Sequence, residues 1–139
     1  DSLCILTPTK NTNNKAINKL NLLWKRVGAK TILLSPQAHD KILSFTSHLP
    51  HIIAFSLINN IPKEYLKFAS TGLKDTTRIA SSESELWTDI LLSNQKNIIK
   101  AIELFQDNLS RIKLTMQKKD ERQLAKIIKE AREKRNSLG

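Results

Sequence analysis

From Leu3 to Leu6 the chain is a short apolar run stopped by Pro8, which predicts a buried strand. Thr12, Asn13 and Asn14 then offer helix N-caps, and Ile17, Leu20, Leu23, Trp24 and Val27 recur at helical spacing before Gly28 supplies a stop. A second apolar run, Thr31 to Leu34, ends at Ser35-Pro36. Strand, helix and strand in this order predict a crossover between parallel neighbours. Two strands make no stable sheet alone, so residues 1–35 are expected to belong beside a larger sheet, with the chain beginning in the middle of a fold.

Beyond Pro36 the pattern turns helical. Residues 38–60 carry Ile42, Leu43, Phe45, Leu49, Ile52, Ile53, Phe55, Leu57 and Ile58, apolar on too many sides for a surface helix, which predicts a central buried one. Pro50 is expected to kink it and to free backbone carbonyls one turn earlier. A short helix over residues 63–68 leads to an expected turn at Gly72, and Ser82 or Ser84 caps a long helical stretch through Trp87, Ile90, Leu91 and beyond. Within that stretch Ile98, Ile102, Phe105, Leu109, Ile112 and Met116 alternate at spacings of 4 and 3, a heptad seam that seeks a partner helix. Leu124, Ile127, Ile128 and Ala131 give the last helix, over residues 120–135, a thin apolar stripe. The fold class is therefore mainly α, a helical domain over 36–139 preceded by the strand-helix-strand segment of 1–35. No apolar run approaches the roughly 18 residues of a membrane span and no leader pattern opens the chain, so a soluble, cytoplasmic protein is expected.

The charge changes this picture less than its size suggests. Lys and Arg total 23 against 13 acidic residues, a net charge of +10, which raises nucleic acid, acidic membrane or an anionic substrate as partners. Residues 1–35 carry +5, residues 36–94 carry −1 and residues 95–139 carry +6, so any anion recognition in the middle depends on a few placed groups. A nucleic-acid module should interleave aromatics with its basic residues, but 95–139 holds only Phe105, which belongs to the seam. Gly28, Gly72 and Gly139 are the only glycines, too few for a dinucleotide turn or a Walker phosphate loop. The lone Cys4 reads as a small apolar residue; it allows neither an internal disulfide nor a cysteine-rich zinc site, and fits a reducing compartment.

Two stretches hold chemistry. His48 and His51, in Ser47-His48-Leu49-Pro50-His51, share one helical face near the proline kink, a spacing that suits satisfied structural histidines as well as a site. His39-Asp40 is the only nearby addition and lies a few turns away, so no metal site is expected. The second stretch runs from Gly72 through Asp75, Thr77, Arg78, Ile79 and Ala80 to Trp87, Asp89, Ile90 and Asn94. Arg78 can hold a carboxylate by two parallel hydrogen bonds, or pair with Asp75 on the surface; Trp87 is a core or interface anchor.

In order, Ile5-Leu6-Thr7-Pro8-Thr9, Leu22 to Gly28, Ser35-Pro36 with His39-Asp40, Ser47 to His51, Gly72 to Asp75 with Thr77 to Ala80, and Trp87 with Asp89-Ile90 and Asn94 resemble the C-terminal half of the prephenate dehydrogenase family. The resemblance implies an enzyme of tyrosine biosynthesis that oxidatively decarboxylates prephenate to 4-hydroxyphenylpyruvate, or arogenate to tyrosine, with NAD or NADP. A hydride leaves the ring carbon bearing the hydroxyl, a base takes the hydroxyl proton, and loss of carbon dioxide makes the ring aromatic. It further implies that residues 1–35 close a dinucleotide-binding domain and that 36–139 form a helical substrate-binding and dimerisation domain of a homodimer. The cofactor loop and the family's catalytic histidine would lie upstream, leaving no catalytic residue in this chain and none of the activity to the chain alone. By position, Arg78 would grip a substrate carboxylate, His51 would make polar contact with substrate, and His48 would orient it or line the pocket. Asp75 would position Arg78, and Trp87 would reach the site from the partner subunit. Leu73, in place of an aromatic, and Ser70-Thr71, where glycines are common, depart from the pattern. The competing reading is a non-catalytic basic helical module that binds nucleic acid or an acidic partner; a third, a helical zinc protein, would use His39, His48 and His51.

Overall fold

The computed structural model describes residues 2–138. Strand β1 (Leu3–Leu6), helix α1 (Asn14–Arg26) and strand β2 (Lys30–Leu33) form a parallel crossover in which Leu3 pairs with Lys30 and Leu6 with Leu33. The Asn13 side chain caps α1 by accepting from the Lys15 amide, and Gly28 (φ +83°) closes it. The Ala29 amide reaches the Trp24 carbonyl and the Gly28 amide the Lys25 carbonyl, a double closure that needs a left-handed residue at position 28. Helix α1 lies on β2, where the Thr31 hydroxyl donates to the Asn21 side-chain oxygen. Among the described residues the sheet has two strands, on which Leu3, Ile32 and Leu33 stay 42% to 62% exposed.

Pro36 opens α2 (Pro36–Leu43) behind the N-cap Ser35, whose hydroxyl accepts from the Ala38 amide. The helix does not stop there. A π-helical turn over Ser44–His48 carries it into α3 (Leu49–Asn59), with the Leu49 amide bonding the Ser44 carbonyl. Pro50 lacks the amide that would serve one carbonyl of the preceding turn, and the wider π turn absorbs both that loss and the ring's bulk. Pro36–Asn59 thus forms one continuous helical run of 24 residues, apolar and long enough by composition to cross a membrane, which corrects the expectation that no stretch reaches that length. The sequence count missed it because His39, Asp40, Lys41, His48 and His51 interrupt the apolar pattern without interrupting the helix.

A 3-10 helix over Lys63–Phe68 precedes α4 (Thr71–Thr77), which continues as a 3-10 turn over Arg78–Ser81. Gly72 is the second residue of α4 and not a turn; Ser70 and Thr71 in place of glycine leave the chain free to start its helix there. The expected long helix is two, α5 (Ser84–Ser93) and α6 (Gln95–Gln117), broken at Asn94 (φ −113°, ψ 25°). A compact unit runs to Ile98, and a second one begins at Ile99. In the second, α6 ends at Lys119 (φ +52°), with the Asp120 amide on the Thr115 carbonyl and the Lys119 amide on that of Met116. It is the same closure as at Gly28, here with lysine in the left-handed position. Asp120 then caps α7 (Glu121–Asn136) through its carboxylate and the Gln123 amide. Along α6 the buried positions are Ile98, Ala101 and Thr115, whereas Leu109 (49% exposed) and Met116 (60%) stay open. Of the expected seam Ile98 is buried and Ile102, Phe105 and Ile112 are half-buried, so Leu109 and Met116 are its exposed members.

Candidate functional site

The π turn and α3 present His48 and His51 toward one residue of α5. The Trp87 indole stacks on the His51 ring, centroids 3.5 Å apart and planes 22° apart, and receives His48 edge-on at 6.2 Å and 82°. Phe55, one turn beyond His51, closes the cluster with its centroid 6.2 Å from both Trp87 and His51. The spacing of the two histidines predicted their common face; the tryptophan that fills the space between them comes from a separate helix of the same chain. The resemblance would bring Trp87 from the partner subunit, whereas here it meets its own chain's histidines.

Ring nitrogens in this cluster are assigned by what faces them. His51 Nδ1 lies 2.9 Å from the Ser47 carbonyl oxygen, which only accepts, so Nδ1 carries the proton and the Nε2 of a neutral ring is left with its lone pair. The carbonyl lies in the π turn that precedes Pro50. His48 is buried and meets Asn94 Nδ2 at 3.2 Å through its own Nδ1. Burial holds His48 below the ordinary histidine value; the Asp40 carboxylate opposes this, while His39 and His51 add to the depression.

A depressed value means that the unfolded chain takes up the proton first. The stability His48 contributes is therefore fully present above the ordinary value of about 6.5 and is lost as pH falls through it toward the lower folded value. Urea midpoints measured down a pH series should fall below that point in the wild type and fall less steeply in His48→Gln, whose amide still meets Asn94. Parallel slopes for the two proteins would show that His48 is not the group responsible.

Arg78 begins the 3-10 turn that packs on α3, the helix of His51. The turn is braced from within: the Ser81 hydroxyl donates to the Arg78 carbonyl at 2.9 Å, the Ser82 hydroxyl to that of Ile79 at 2.7 Å, and the Thr77 hydroxyl to that of Leu73 at 2.7 Å. The Arg78 side chain is exposed, and among the described residues no carboxylate forms an ion pair with it. Asp75, expected to position Arg78, does not reach it. The α-helical register that would set the two on one face ends at Thr77 (φ −99°, ψ 1°), so Arg78 keeps all five donors of its guanidinium for a ligand.

Among the described residues the His39 ring bonds only its neighbour, Nδ1 to the Asp40 carboxylate at 3.0 Å, and no three metal-ligating side chains converge. The zinc reading therefore has no ligand set. Nor do these residues cradle a dinucleotide: Gly28 ends a helix instead of starting one, Gly72 lies inside α4, and Gly139 is outside the described residues. Sequence reasoning quoted Asn94 and Ser47 within its motifs and Phe55 among the apolar positions, but assigned a role to none of the three. Phe55 and Ser47 follow from i, i±4 spacing about His51, and an asparagine inside an apolar helical stretch is a signal of a break.

The residues that build this cluster lie in a region with known relatives. Residues 35–130 match the family model described as the dimerisation domain of prephenate dehydrogenase. The chain is 34% identical to the prephenate dehydrogenase of Bacillus subtilis, over 96% of its own length and 38% of the relative's. It is 31% identical to the cyclohexadienyl dehydrogenase of Zymomonas mobilis, over 99% of its own length and 50% of the relative's. Among solved structures it is similar to the prephenate dehydrogenase of Aquifex aeolicus in complex with hydroxyphenyl propionate and NAD+, with a TM-score of 0.89 and 37% identity over 99% of this chain and 50% of that one. The chain thus spans half or less of the length of these relatives.

Proposed function

The chain belongs to the prephenate dehydrogenase family, whose dimerisation domain it matches, and on that premise we propose that it is the substrate-binding and dimerisation part of an NAD- or NADP-dependent prephenate or arogenate dehydrogenase of tyrosine biosynthesis, working in the cytoplasm. In this reading residues 1–35 complete the dinucleotide-binding domain and 36–139 form the helical domain. One observation carries it: an arginine without an ion-pair partner among the described residues, on a braced turn beside a helix whose two histidines flank an indole. An aromatic surface beside an arginine whose backbone turn is braced suits a six-membered ring that bears carboxylates, and hydroxyphenyl propionate, the ligand of the Aquifex relative, is likewise a ring with a carboxylate arm.

The nicotinamide cofactor supplies hydride acceptance when bound, and its phosphate-binding elements are not among these residues. What this chain does is bind and orient. Arg78 takes a substrate carboxylate through two parallel hydrogen bonds. His51 offers Nε2 as an acceptor, with its ring plane held by Trp87 above and its Nδ1 proton tied to the Ser47 carbonyl. His48 meets the same indole from the π turn, where it would line the substrate's pocket. The apolar faces that stay open, Ile42 and Phe45 along the first compact unit's long helix and Leu104, Leu109 and Met116 on α6, support a homodimer.

The direct test incubates the full-length protein with prephenate or arogenate and either NAD+ or NADP+. Reduced nicotinamide should appear together with 4-hydroxyphenylpyruvate or tyrosine; no turnover with any of the four combinations would sink the proposal. Sedimentation equilibrium at tens of micromolar should give the mass of two chains, and monomer alone would remove the dimerisation role.

A further inference from the structure

Asn94 is buried (7% exposed) at the break between α5 and α6, and its side chain spans two segments far from it in sequence. Its Nδ2 lies 2.7 Å from the Asp40 carbonyl oxygen and 3.2 Å from His48 Nδ1, while its Oδ1 lies 2.8 Å from Asn97 Nδ2. A backbone carbonyl only accepts, so the Asn94 atom facing Asp40 must be the amide nitrogen; turning the amide over would set two carbonyl oxygens against each other. The second proton of that same nitrogen then points at His48, and His48 Nδ1 must receive it on a lone pair. Asn97 satisfies the remaining oxygen, which leaves the amide no alternative arrangement.

We infer that Asn94 is a positioning residue that holds the His48 ring with its proton on Nε2, so that the two histidines beside Trp87 present one donor, His48 Nε2–H, and one acceptor, His51 Nε2. The inference deepens the proposed substrate-binding role and rests on it for its consequence: an acceptor oxygen of the ligand, carboxylate or carbonyl, is matched to His48, and a donor to His51. The geometry itself is independent of that reading. The titrating or charged groups that act on His48 are Asp40 and His39 from α2 and His51 from α3; α5 contributes Trp87 and the break contributes Asn94, neither of which titrates. The burial that disfavours the imidazolium works in the same direction as the amide.

Asn94→Asp is the decisive variant, because it keeps the shape and replaces the donor with an acceptor. In the full-length protein, heteronuclear NMR of histidine ring nitrogens, with His48 assigned by loss of its signals in His48→Gln, should show a bare Nδ1 and a protonated Nε2 at neutral pH. In Asn94→Asp the new carboxylate should draw a proton to Nδ1 and raise the His48 titration midpoint by about 1 to 3 pH units. If the enzyme turns over, the acid limb of its kcat/KM profile should move up by the same amount, with KM raised more than kcat. Asn94→Leu should unsettle the ring without moving the midpoint upward, which separates charge at Nδ1 from loss of packing; if neither variant folds, the ring-nitrogen spectrum of the wild type still decides. A wild-type proton on Nδ1, or an unchanged midpoint in Asn94→Asp, would overturn the inference. Because the NMR needs no substrate, that failure is distinct from the enzyme proving inactive on both substrates.

Discussion

Arg78→Ala in the full-length enzyme should lower kcat/KM by about 30- to 900-fold, the equivalent of about 2 to 4 kcal/mol for removing one partner of a charge pair that loses its water on binding. The size follows from the guanidinium's freedom. Among the described residues it has no carboxylate to compensate it, so nothing competes with the ligand and nothing inherits its role when it is removed. Its backbone, in contrast, is held by the Ser81 hydroxyl on the Arg78 carbonyl, with the Thr77 hydroxyl bracing the preceding residue on the Leu73 carbonyl, so the group is positioned without being consumed. Arg78→Lys keeps the charge but loses the planar fork, and should recover only part of the deficit. Because the side chain is exposed, neither variant should change unfolding free energy by more than about 0.5 kcal/mol. Steady-state kinetics on prephenate and arogenate, paired with urea unfolding, check both halves. Unchanged kinetics would remove Arg78 from the site, and a large loss of stability would make its role structural.

Trp87→Ala should have the opposite balance, a loss of stability of about 2 to 3 kcal/mol accompanied by a higher KM. The indole touches three rings, His48, His51 and Phe55, and it is the α5 side chain that joins the cluster on the π turn and α3. The residue is half-buried, so the cost should fall below that of a fully enclosed tryptophan. Trp87→Phe should keep most of the stability, because a smaller ring can still stack on His51. Urea unfolding of the three proteins reads the stability, and KM reads whether His51 keeps its place without the stack. A Trp87→Ala protein as stable as wild type would show that the cluster does not hold α5 to the histidines.

Much of this was visible before the fold was known. The strand-helix-strand opening could be read because Pro8, Gly28 and Pro36 bound apolar runs of the right lengths, and Gly28 and Pro36 do in the structure what their backbone chemistry demands. The histidine pair could be read because a spacing of three is a statement about one helix face. The resemblance to a dehydrogenase half rested on short blocks of local sequence, and the match over residues 35–130 agrees with it. What local pattern could not show was where helices stop when apolar spacing runs on through the stop. Asn94 sits in such a run, as does the seam of α6, whose buried side is chosen by what packs against it. The Asp75–Arg78 pairing failed for a related reason, since one non-helical residue at Thr77 cancels a spacing rule.

The sequence by itself determined the strand-helix-strand opening and which residue types could carry chemistry, because periodicity, proline and glycine act over a few residues along the chain. The helix break at Asn94 and the start of α5 behind Glu83, in place of the expected Ser82 or Ser84 cap, lay beyond that reach. Only the tertiary structure decided that the tryptophan stacks on one histidine and that an amide 46 residues away sets the proton of the other. Those contacts depend on the directions in which separate helices emerge from a π turn and an asparagine break. A hydrogen bond's donor and acceptor are fixed only when both partners are in place, and no spacing rule reaches that far.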